Sequence, residues 1–159
     1  MEIEIIRISQ DDPLTPTKNF GIVLNRILST IKMLHWYSKI YNVHTILGDL
    51  YDGLSDSFDE LQEEIIGTST KTQLKFPNYK LEYNYDEMFD AYVDDQTLIT
   101  HYYSTINVIV EILNSFEFDA YVKESKSGIN NTKEEILSQI NKANYLLSMV
   151  IIGVKYNEN

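Results

Sequence analysis

The sequence predicts an all-α fold: four amphipathic helices in a single bundle, with a long connection between the second and the third. Three observations carry that reading. Apolar residues recur at the three-four spacing of a core-facing helix in four separate stretches. The one long stretch rich in turn and polar residues lies in the middle of the chain. Finally, 159 residues with 43% hydrophobic and 23% charged content suit one globular core rather than extended disorder.

Residues 1–15 contain EIEIIRI, which alternates like a strand but has no evident second strand to pair with, so an N-terminal arm is expected there. Thr15 as N-cap and Pro16 in the first turn then open a helix over about 16–40. Its core face is Phe20, Leu24, Ile27, Ile31 and Leu34, with His35 on the same side. A second helix over about 43–66 repeats Val43, Leu47, Leu50, Leu54, Phe58, Leu61 and Ile65 along one seam and closes at Gly67. Residues 67–93, which include Pro77, read as a crossover. A third helix over about 94–124 presents Leu98, Tyr102, Ile106, Ile109, Leu113 and Phe116 to the core. After a break at KSGINN, Thr132 and Glu135 have the spacing of a capping box, opening a fourth helix over about 132–156. Four helices with one long middle crossover suit a ferritin-like four-helix bundle occupying the whole of 1–159 as one domain.

Composition excludes several functions. There is no cysteine, so disulfides, thiolate catalysis and cysteine-ligated metals are ruled out, and any metal must take nitrogen and oxygen ligands. The net charge of −11 opposes binding to phosphate backbones, which makes DNA a poor partner. The start, MEIEIIRISQDD, lacks the pattern of a secretory signal, and the longest apolar run is about half of what a bilayer requires. A cytoplasmic protein with no membrane partner is therefore expected.

His35 and His44 are nine residues apart, so on one straight helix they would point to opposite sides. The intervening KIYNV is weak helix sequence, and a break near Asn42 would let the two rings converge. On the second helix Asp52, Asp59 and Glu63 form a stripe directed away from its own seam. Carboxylates of one chain could thus meet histidines of another across a two-fold axis, giving a donor set suited to iron, manganese or zinc. The plainer alternative is that the acids are solvated and the histidines pack. His101, with no carboxylate three or four residues away, reads as packing or surface, and Trp36 and the tyrosines read as packing. No nucleophile–base set or phosphate loop is present.

The stretch LHWYSKIYNVHTILGDLYDGLSDSFDELQEEIIG, Leu34 to Gly67, resembles the Dps family of miniferritins. The shared pattern is a His-Trp pair, here His35-Trp36, then a second His, here His44, followed by an Asp fifteen and a Glu nineteen residues on, here Asp59 and Glu63. The resemblance implies iron (Fe) binding, oxidation and storage at sites between subunits of a homo-oligomer built from two-fold dimers, with Trp36 beside the ligands. Two departures stand out: the gap between the histidines is shorter, and Gly48 occupies the position of a further acidic ligand. Asp49 and Asp52 are the nearest substitutes. The nine-residue gap and NNTKEEILSQINKANYLL are similar to a ferritin-like family encoded by tailed bacteriophages, which would place the protein in a bacterial host or a virion. The Lys-rich tail with which Dps proteins bind DNA has no counterpart in the acidic N-terminus. Two readings remain open: a ferroxidase, and a phage structural or host-interaction protein that keeps the bundle without the activity.

Overall fold

The computed structural model describes residues 4–8, 15–68, 78–82, 94–125 and 128–156. Five helices and one two-stranded ribbon lie among them, and the predicted all-α class holds for everything but the ribbon. The elements are β1 (Glu4–Ile8), α1 (Thr15–Tyr37), α2 (Tyr41–Thr68), β2 (Asn78–Glu82), α3 (Asp95–Leu113), α4 (Phe116–Ser125) and α5 (Ile129–Tyr156).

The strand-like start is not an unpaired arm. It pairs antiparallel with β2 in the register Glu4↔Glu82 to Ile8↔Asn78. Two short strands are marginal alone, and the sequence gives no view of what supports them. Here β2 packs against α1. The partner strand was concealed within the predicted crossover, directly after Pro77.

The α1–α2 hairpin is antiparallel, with Gln62 Nε2 donating to the Thr17 carbonyl at 3.0 Å near its open end. Around it, α1 packs on α3, α2 on α5, and α3 on α5. The predicted seams of α1 and α2 are buried throughout. Tyr102 of α3 is fully buried and its hydroxyl donates to Asn144 Oδ1 of α5 at 2.7 Å, which satisfies the one polar atom of a ring in the core.

Two boundaries differ from expectation for local reasons. The third predicted helix is interrupted at Asn114–Ser115, where the Ser115 hydroxyl accepts from the Phe118 N–H at 3.2 Å and so caps a new helix. The interruption changes the phase, leaving Phe116 83% exposed while Phe118 fills the core. The last helix begins one turn early because the Gly128 carbonyl accepts from Asn131 N–H at 2.8 Å. Thr132 is therefore not a cap: it is buried, and its hydroxyl donates to Glu64 Oε2 of α2 at 2.9 Å. No helix among the described residues is long and apolar enough to cross a membrane.

Candidate metal centre

The site begins at the turn between α1 and α2. The break falls at Ser38–Ile40, a few residues before Asn42, which lies inside the first turn of α2. What holds it comes from elsewhere in the chain. Buried Asp95, the first residue of α3, accepts from Ser38 Oγ at 2.6 Å, Lys39 N–H at 2.9 Å and Ile40 N–H at 2.9 Å. These backbone donors stand at a helix junction, where the first N–H groups of a helix need partners from outside it. Its neighbour Asp94 caps α3 itself, accepting from Thr97 N–H at 2.7 Å, and this bond lowers the Asp94 pKa. The sequence singled out neither Asp95 nor Ser38. The available signal was weak: of the Asp94-Asp95 pair only one can cap the helix, which leaves the other available for a different partner.

With the turn fixed, His35 and His44 converge, as a break between the helices was expected to allow. Their rings stack with centroids 3.9 Å apart and planes 25° from parallel. Each is tied to the other's backbone. His35 Nδ1 lies 2.7 Å from the His44 carbonyl oxygen, and His44 Nδ1 lies 2.8 Å from that of His35. A carbonyl only accepts, so both Nδ1 atoms carry the proton and donate. In the neutral ring the lone pair then resides on Nε2, the arrangement found where imidazoles bind metals.

Gly48 is part of this geometry. A Cβ at that position would lie 2.8 Å from His35 Cε1 and 3.0 Å from Nδ1, inside the van der Waals limit. The space that a side chain would fill belongs to the His35 ring.

The acidic candidates are elsewhere. Asp59 and Glu63 are exposed on α2, and the fifteen residues from His44 to Asp59 correspond to a rise of about 22 Å along the helix. One chain cannot bring them to the histidines, and among the described residues no group of three or more His, Asp or Glu could hold a metal ion. Asp59 borders a cleft of about 270 Å³ between α1 and α2, together with Asn25, Ser55, Asp56 and Gln62. Asp52 is exposed on the same helix. Asp49 lines a different cleft, about 190 Å³, between α2 and α5 beside Lys142 and Leu146. Trp36 is 63% exposed, so it is not core packing. His101 is buried in α3 and burial lowers its pKa, as expected of a packing histidine.

Compared with models of known families, with curated proteins and with solved structures, the chain matches none.

Proposed function

We propose that the protein is a ferritin-like, Dps-like four-helix bundle that binds and oxidises Fe(II) at sites completed by a second copy. His35 and His44 of one chain meet Asp59 and Glu63 of the other across a two-fold axis, and residues 67–93 form the crossover between the second and third bundle helices. The reciprocal Nδ1 bonds of the histidine pair carry this reading, because each commits Nδ1 to a carbonyl and leaves the lone pair of the neutral ring on Nε2. The cyclic packing of α1, α2, α5 and α3 agrees with such a bundle. So does the surface of the hairpin: of the eight large apolar side chains exposed among the described residues, α1 and α2 carry Ile22, Trp36, Tyr37, Tyr41 and Ile66, which a partner would cover. Iron is the substrate here. Two Fe(II) ions each give up one electron, peroxide with two protons takes both electrons, and the acids neutralise the charge. Manganese or zinc would suit the same nitrogen and oxygen donors without the redox step.

Glu63→Ala should abolish most Fe(II) oxidation while leaving the core seam intact. Glu111→Ala, exposed on α3, should change it little. Stopped-flow absorbance after Fe(II) addition checks both. Gly48, which supplies no acidic ligand beside His44, favours the second reading, a phage or host-interaction protein without ferroxidase activity. Equal iron uptake and oxidation by wild type and the Glu63 variant would establish that reading instead.

A further inference from the structure

We infer that Asp95 is the positioning residue of the histidine pair, acting from α3 through the Ser38–Ile40 turn. The inference deepens the metal-site reading only in what the pair is for; the positioning itself stands on the metal-free geometry. No proline or glycine lies between Trp36 and Leu47, so the local sequence permits one continuous helix through the junction. In that helix His35 and His44 would face opposite sides. The broken arrangement exposes the Lys39 and Ile40 N–H groups, and the turn has no carboxylate of its own to receive them. Asp95, 6% exposed, receives both N–H groups and the Ser38 hydroxyl. A negative charge at the start of α2 also opposes that helix's positive end. The choice between a straight helix and a stacked histidine pair is therefore made more than fifty residues further along the chain.

The test uses the full-length protein and the variants Asp95→Asn and Asp94→Asn. Asparagine keeps the size of aspartate but points an NH2 group at donors. Nitrogen-15 NMR of the metal-free histidine rings should show Nδ1–H for both His35 and His44 in wild type and in D94N. In D95N that signature should give way to the mixed tautomers of solvated imidazole. Co(II), followed by its visible absorption, should bind D95N at least tenfold more weakly and D94N within twofold of wild type. Should D95N fail to fold, Ser38→Ala, which removes one of the three bonds, must shift the same ring signals. Ring signals unchanged in a folded D95N, or in Ser38→Ala where D95N does not fold, overturn the inference, whatever Co(II) does. Altered ring signals in a protein whose wild type binds no Co(II) uphold it and remove the metal reading.

Discussion

At position 48 a hydrogen stands where any other residue would carry a carbon, and the His35 ring occupies the difference. Gly48→Ala gains helix propensity of up to about 1 kcal/mol, yet its methyl must displace the ring and loosen the 2.7 Å bond to the His44 carbonyl. Co(II) affinity should fall tenfold or more with little loss of melting temperature, read by absorption titration and thermal circular dichroism. His101 supports a different test. Its pKa is lowered by burial, so the folded protein holds the ring neutral. The unfolded chain takes up the proton near pH 6.5. The stability this contributes is present above that pH and is lost as the pH falls from there towards the lower folded value. His101→Gln should flatten the decline, measured by urea melts at pH 7.5 and pH 5. The pairing of the two histidines was legible in the sequence as a conditional: their nine-residue spacing brings them together only if the helix breaks between them. Asp95 was not, since local pattern carries no information about a carboxylate that reaches across the fold.

Among the elements, hydrophobic periodicity located four of the five described helices and nearly every buried seam residue, because amphipathic faces are what packing selects. It failed at Asn114–Ser115, where Leu113 and Phe116 keep the three-residue spacing through a break in the helix and so conceal it. Ser115→Ala removes the hydroxyl that accepts from Phe118 N–H, at a cost of about 1 kcal/mol. Its thermal melt should shift down by about 2–4 °C with the rest of the fold intact. The capping-box pattern at Thr132 misled for a related reason: a threonine hydroxyl serves a neighbouring helix as readily as its own, and Glu64 lies within reach. Tyr102→Phe, which leaves Asn144 Oδ1 without its donor, should cost about 1–2 kcal/mol in a denaturant melt.

For the whole molecule, the exposed apolar residues of α1 and α2 and the stranded carboxylates lead to one expectation, a dimer or a larger assembly of dimers. Light scattering should show it, and Trp36→Asp together with Tyr41→Asp should reduce it to monomers. With a charge of −11 per chain, acids brought together in such an assembly repel until a cation intervenes, so Fe(II) or Co(II) should raise the melting temperature of wild type but not of Glu63→Ala. Alternation marked the first strand of the ribbon but not its partner, whose support comes from α1. That ribbon also has a kinetic consequence. Joining Ile8 to Asn78 in an unfolded chain means closing a loop of about 70 residues. Once α1 and α2 have zipped into their hairpin, Thr15 and Thr68 stand at the same end, so the separation left to close shortens and the entropic cost falls by about 1 kcal/mol. A formed hairpin therefore favours the ribbon, which joins segments flanking the α1–α2 unit.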